Sequence, residues 1–165
     1  EVQTYINADD GILQGVEFEF RHNLSDNFNF YGNYTYLDST LELDLGNGVV
    51  DIGYEGQPEH IVNLILGYDN EDWGLSASLV YNYTGEFLLV VPRTAADDRV
   101  LQEGRHTLDL VVKKKLEMFG GEGELSLKLG NILDSPVREV LEPSGRTYDE
   151  FNPGRSVAVA FKVNY

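Results

Sequence analysis

The chain has 165 residues, the length of one domain with room for a sizeable core, and its 28 acidic against 12 basic residues leave a net charge of −16. That balance repels nucleic acid and anionic headgroups and argues against nucleic-acid binding. With no cysteine there is no disulfide framework and no thiolate metal site, and no apolar run approaches the roughly 18 residues a membrane helix needs.

Ten Tyr and 17 Gly suit an all-β protein rich in turns, and the pattern in chain order agrees. Residues 2–7 predict a partial strand, followed by a turn at 8–11. Val16, Phe18 and Phe20 then alternate with Glu17, Glu19 and Arg21, so one face of this strand is greasy and the other must be wet. After a polar link at 22–27, a second strand presents Phe28, Phe30, Gly32, Tyr34 and Tyr36 on one side. Residues 38–57, rich in glycine and acids, read as a loop or an extension above a sheet. Val62, Leu64, Leu66 and Tyr68 form the next apolar face, and a polar turn at 69–72 leads into Leu75, Ala77, Leu79, Tyr81 and Tyr83. A long connection at 85–104 precedes Leu108, Leu110 and Val112, which alternate with Thr107, Asp109 and Lys113. A short turn at 117–123 is followed by Leu125, Leu127 and Leu129, alternating with Glu124, Ser126 and Lys128. The third long connection, 134–154, leads to a last strand with Val157, Val159, Phe161, Val163 and Tyr165 on its apolar face. Lys162 and Asn164 lie on the other.

Seven strands of about ten residues are thus joined by links that alternate short and long, so all the long links fall at one end of the sheet. Soluble sandwiches do not keep this rule; transmembrane barrels do, with strands of roughly 9–11 residues and apolar bands edged by aromatics. The charges Glu17, Glu19, Arg21, Asp109, Lys113, Glu124, Lys128 and Lys162 all fall on the polar faces, and none sits in the middle of an apolar face. The expected fold is an all-β antiparallel transmembrane barrel wall, apolar side to lipid and polar side to a lumen. A soluble eight-stranded barrel of lipocalin type, and a small self-contained eight-stranded outer-membrane barrel with a structural or adhesive role, remain alternatives.

No enzyme signature stands out. His22, His60 and His106 lie on different strands without metal-ligand spacing and read as polar-face or interfacial residues. The acid pairs near 9–10, 69–72 and 97–98 do not fit a calcium loop, and neither Ser144-Gly145 nor the glycines at 120–123 fit a nucleophile elbow or a phosphate loop. No catalytic residue, cofactor or metal is assigned. Asn131 and Asp134 are expected to fix the turn into the last long connection through side-chain to backbone bonds.

Five fragments in order carry a family likeness: Gly15-Val16-Glu17-Phe18-Glu19-Phe20, Gly32-Asn33-Tyr34-Thr35-Tyr36, Gly56-Gln57-Pro58-Glu59-His60, Gly130-Asn131-Ile132-Leu133-Asp134, and Pro153-Gly154-Arg155-Ser156 with the strand to Tyr165. Together they resemble the C-terminal barrel region of TonB-dependent outer-membrane receptors. The resemblance implies the last seven to eight strands of a larger barrel, short turns in the periplasm, long loops outside the cell, and residues 1–165 as one barrel segment. It implies that the plug domain and TonB box lie outside this stretch, as does the first barrel strand on which the last one closes. The implied function is uptake of a scarce nutrient such as a ferric siderophore. The implied partners are outer-membrane lipid, the remaining barrel and plug, the TonB complex through that plug, and the barrel-assembly machinery. Val159, Phe161, Val163 and Tyr165 look like the terminal assembly signal. Arg93, Arg99, Arg138 and Arg146 are candidate contacts for an anionic chelate or lipopolysaccharide phosphates, because guanidinium groups suit both.

Overall fold

The computed structural model describes residues 10–118 and 121–164, and every regular element within them is a β-strand. The segment 2–7, part of the turn expected at 8–11, and Tyr165 fall outside the described residues. In chain order the strands are β1 (Asp10–Asn23), β2 (Phe28–Asp44), β3 (Val49–Ile52), β4 (His60–Asn70), β5 (Leu75–Thr84) and β6 (Phe87–Val90). They continue as β7 (Arg99–Gln102), β8 (Arg105–Met118), β9 (Gly121–Gly130), β10 (Val137–Glu142), β11 (Arg146–Phe151) and β12 (Ser156–Asn164).

The seven strands expected from period-two patterning form one antiparallel wall in the order β1-β2-β4-β5-β8-β9-β12. Register keeps the apolar residues on one side: Phe30, Leu66, Leu79, Leu110, Leu129 and Val157 stand opposite one another across six strands. This side is not covered by protein. Val16 is 68% exposed, Phe18 63%, Val157 69% and Phe161 50%, and none of the buried hydrophobics lies on it. A soluble barrel would enclose such a face, because each side chain left in water forgoes about 1.5–3 kcal/mol of burial. The lipocalin-like alternative therefore fails. Among the described residues β1 and β12 are the two ends of the wall and do not pair with each other, so the wall is an open arc.

The long connections are more ordered than loops. β2 runs past the apolar band to Asp44 and folds back on β3, so 38–57 is a strand extension. There the apolar set changes sides. Odd positions Leu41 and Leu43 turn toward a small core in which Leu43 (6% exposed), Ile52 (3%) and Leu88 (6%) pack with Leu45, Val50, Val91 and Leu101. The connections 85–104 and 134–154 supply β6, β7, β10 and β11, which form a second antiparallel sheet in the order β11-β10-β7-β6. Of the two readings of 38–57 the extension holds, and the long connections 85–104 and 134–154 carry strands because short apolar pairs such as Leu88 opposite Leu101 and Val140 opposite Leu101 give the segments a core of their own.

The short turns are tighter than expected. β8 and β9 pair out to Met118 and Gly121, well inside the turn assigned to 117–123. At 71–74 the backbone closes with Gly74 in the left-handed region at φ +56°, which favours glycine. Asp10 and Gly11 are strand residues, paired with Glu42 and Leu41, because the elongated β2 offers them a ladder.

Candidate functional site

The wall divides the molecule into three working surfaces: the lipid-facing side with its two rims, the polar side, and the outer sheet. At the long-connection end of the apolar side two aromatic clusters repeat the same design. The Tyr34 hydroxyl lies 3.0 Å from His60 Nδ1, with the Tyr36 ring 5.3 Å from the imidazole. Tyr81 lies 2.7 Å from His106 Nδ1, and the Tyr83 ring stacks on that imidazole at 4.5 Å. All three histidines stand in register with apolar-face residues: His60 with Tyr36, His106 with Tyr83, and His22 with Phe30. The polar-face option for them is thus corrected: they stand on the apolar side, His60 and His106 beside tyrosines at its long-connection end. Tyrosine and imidazole each join an apolar ring to a polar tip, which suits a membrane–water boundary.

The opposite rim is marked by Trp73, 63% exposed in the 71–74 turn, whose backbone amide donates to Asn70 Oδ1 at 2.9 Å. Lys114 is in register with Leu75 on the apolar side, and its ammonium donates to the Trp73 carbonyl. A long stem laid along apolar surface with its charge at the rim lets one lysine sit near the edge of a lipid-facing strand.

On the polar side, Asn33, Asn63, Asn82 and Thr107 stand opposite one another on β2, β4, β5 and β8. Asn33 is 8% exposed and donates to Glu17 Oε1 at 2.5 Å, Asn63 donates to Asn33 Oδ1 at 3.4 Å, and Asn82 donates to Thr107 Oγ1 at 3.5 Å. Asn33 and Asn82 are thus strand residues within an amide row. Sequence reasoning missed the row; its only signal was asparagine at the same depth of successive polar faces. Arg21 pairs with Glu19 at 2.9 Å and lies over the Tyr31 ring at 5.0 Å. A shallow cavity of about 300 Å³, lined by Asn29, Gly67, Ser76, Ser78 and Lys113, opens on this side.

The turn after β9 is built around Asn131. Its backbone takes φ +50° and Asp134 takes +58°, both in the left-handed region that asparagine and aspartate tolerate best after glycine. Its amide side chain donates to Gly154 O (3.0 Å) and Ser135 O (3.3 Å) and accepts from the Ser135 amide (3.1 Å), while its own amide donates to Asp109 Oδ1 at 2.8 Å. Asp134 contributes its backbone amide, which donates to Asn131 O at 2.8 Å. Asn131 thus ties both ends of the third long connection to the wall. Asn131→Ala is expected to cost about 1–3 kcal/mol through the polar groups left unpaired and the left-handed backbone. Asn131→Gly is expected to recover only the backbone share. Urea denaturation measures both.

Arg99 and Arg138 have different carboxylate partners. Arg138 pairs with Glu103 (3.3 Å) and Glu150 (3.5 Å) and donates to Thr147 Oγ1, and Arg99 pairs with Glu142 at 3.9 Å and donates to Asp51 O at 3.1 Å. Arg146 is exposed at the tip of the β10–β11 hairpin, and Arg93 is exposed between β6 and β7. A cavity of about 320 Å³ lies between the β2–β3 extension and the outer sheet, with Asp38, Glu59, Glu86, Glu142 and Arg99 among its lining. Partial burial, together with Glu142 and Glu103, pushes the Glu86 carboxyl above the ordinary carboxylate range. A raised acid binds its proton more tightly folded than unfolded, so its contribution is fully present below the ordinary carboxylate value and is lost as pH rises through the raised one. Glu86→Gln is therefore expected to stabilise the outer sheet at pH 7 and to leave it unchanged below about pH 4, which thermal melts at the two pH values read directly.

Val159, Phe161 and Val163 line the apolar side of β12, opposite Leu127, Leu125 and Gly123. Among the described residues no cluster of three or more His, Asp or Glu is placed to hold a metal ion. The family model described as TonB dependent receptor-like, beta-barrel matches residues 1–131. No curated protein and no solved structure matches the chain. The open antiparallel wall, apolar on one face and amide-lined on the other, is what that match calls for: six of its seven strands fall inside the matched stretch, and β12 pairs with one of them. The chain belongs to the TonB-dependent receptor β-barrel family.

Proposed function

We propose that this chain is one wall segment of an outer-membrane receptor for TonB-dependent uptake of a scarce nutrient such as a ferric siderophore. The single observation that carries the reading is the pairing of an uncovered apolar face with a polar, amide-lined one in a seven-stranded open wall. In this reading residues 1–165 are one barrel segment, and a plug with its TonB box and further strands complete the receptor. The polar side, with its row of asparagines and mixed charges, faces the plug. Val159, Phe161, Val163 and Tyr165 serve as the terminal signal for the barrel-assembly machinery. Cargo or lipopolysaccharide contacts fall to Arg93, Arg99, Arg138 and Arg146, of which Arg99 and Arg138 also pair with carboxylates. The segment 38–59 carries six acids and no lysine or arginine, so anionic cargo has to approach over β6–β11.

Uptake of a panel of radiolabelled ferric chelates by cells bearing or lacking the full receptor tests this. Receptor-dependent uptake that disappears without TonB is the expected result. Uptake that is equal in both backgrounds for every chelate rejects the siderophore assignment.

A further inference from the structure

Charge is shared unevenly across the polar side. On β1, β2, β4 and β5 the described residues place Glu17, Glu19 and Asp69 there against one cation, Arg21, which Glu19 holds at 2.9 Å. On β8, β9 and β12 they place Arg105, Lys113, Lys115, Lys128 and Lys162. All five lysines of a chain with net charge −16 belong to these three strands. Among the acids beside them, Asp109 accepts from the Asn131 amide at 2.8 Å, while Glu117, Glu122 and Glu124 gather at the hairpin end, Glu124 opposite Lys115 and Lys162. Even so, none of the four polar-side lysines forms an ion pair among the described residues, and all four are exposed.

The surroundings leave these cations room. Ser76 and Ser126 stand opposite Lys113 on either side, Ala158 stands opposite Lys128 and Ala160 opposite Ser126, so the ammonium groups rise from a floor of small side chains. Three shallow cavities follow one another along this floor. One of about 320 Å³ is lined by Arg105, Lys128, Thr107 and Ser156, one of about 300 Å³ by Lys113, Ser76 and Ser78, and one of about 330 Å³ by Lys115. In the first, Arg105 gives Nη2 to Ser135 O at 3.3 Å, and its buried Nε has no partner among the described residues. Arg105 adjoins His106 at one rim and Lys115 adjoins Lys114 at the other, so the row of cations runs the full height of the wall.

We propose that the polar side of β8, β9 and β12 is a transit lane for a negatively charged cargo, handed from Arg105 to Lys128, Lys113 and Lys115 in turn. This rests on the receptor reading above and adds to it the charge of the cargo and the part of the wall it passes. Lysine suits passing contact, because its compact ammonium on a flexible stem attracts an anion as a point charge, without the two-pronged grip of a guanidinium. Lys128, opposite Val111, then Lys113 and Lys115 follow at intervals of two residues, about 7 Å along a strand. That is within the screening length of about 8 Å at physiological salt, so the next cation attracts the anion before the last releases it.

Uptake by cells bearing the full receptor tests this, with ferric citrate and a ferric tricatecholate as anionic probes and a ferric trihydroxamate as the neutral one. The lane variant is Lys113→Gln with Lys128→Gln, and Lys114→Gln makes the same charge change on the other face of β8. TonB-dependent uptake of an anionic probe is expected, about 10-fold or more slower in the lane variant, restored by arginine at both positions and unchanged in Lys114→Gln. Uptake of the neutral probe alone, or a lane variant that carries the anionic probe at the unsubstituted rate, overturns the inference and leaves the receptor reading standing. So does a loss that arginine does not restore or that Lys114→Gln shares. No TonB-dependent uptake of any probe overturns both. Thermal melting of the purified full receptor separates the other occupant of such a surface, an acidic face of the plug. Unchanged melting of the lane variant is expected; a melting temperature several degrees lower means that these lysines are ion-pair partners of the plug, and the inference fails.

Discussion

Leu110→Arg is expected to destabilise the folded receptor by roughly 2–4 kcal/mol, the penalty of a cationic side chain at the middle of a lipid-facing strand. Leu110 sits at the centre of β8 on the uncovered face, between Leu79 and Leu129, and equally far from the His106 rim and the Lys114 rim. Ser78→Arg places the same charge on the polar side, opposite Val111, and is expected to cost within about 0.5 kcal/mol, as an ordinary solvent-side substitution does. Urea titration of each variant in lipid vesicles, followed by heat-modifiable migration, gives the two numbers. The difference between them reports which face meets lipid; equal costs would mean that the assignment of faces is wrong.

Ile52→Ala is expected to cost about 2–5 kcal/mol, the range for emptying a closely packed aliphatic site, and the loss should stay in the outer sheet. Ile52 is 3% exposed and packs with Leu43 and Leu88, which hold the β2–β3 extension to β6. Its removal should open residues 38–59 and 85–104 to proteolysis while the gel migration of the wall stays unchanged. If these segments behaved as loops, the substitution would alter neither.

The wall was legible in the sequence because one simple force writes it. A face in lipid tolerates no mid-strand charge and a face in water no long apolar run, so Phe28 to Tyr36 and Leu75 to Tyr83 announce strand, face and rim together. The outer sheet was hidden for the opposite reason. Its strands are four to six residues long, and its core is assembled from distant segments, Leu43, Ile52 and Leu88, none of which forms a recognisable pattern alone. In β2 the apolar parity even reverses, from Tyr34 and Tyr36 below to Leu41 and Leu43 above, so a single period-two reading breaks near Leu37. The polar-face option for the histidines failed because imidazole is polar by type only; at His60 and His106 tyrosine partners on the neighbouring strand let it stand on the apolar side. Asn131 was found from residue type alone, since few side chains both tolerate a positive φ and bridge backbone groups. The fate of Arg99 and Arg138 depended on carboxylates far along the chain and could not be read locally.

The two rims also set a length. On β8 the imidazole of His106 and the ammonium-bearing Lys114 are eight residues apart, which at about 3.4 Å per residue and a strand tilt near 40° spans roughly 20 Å of height. That is short against the roughly 30 Å hydrocarbon core of a typical bilayer and closer to the thinner outer membrane. The wall is thus gauged to its membrane: thicker lipid would have to pinch around it or draw the Tyr–His pairs below the surface, and insertion should favour short acyl chains.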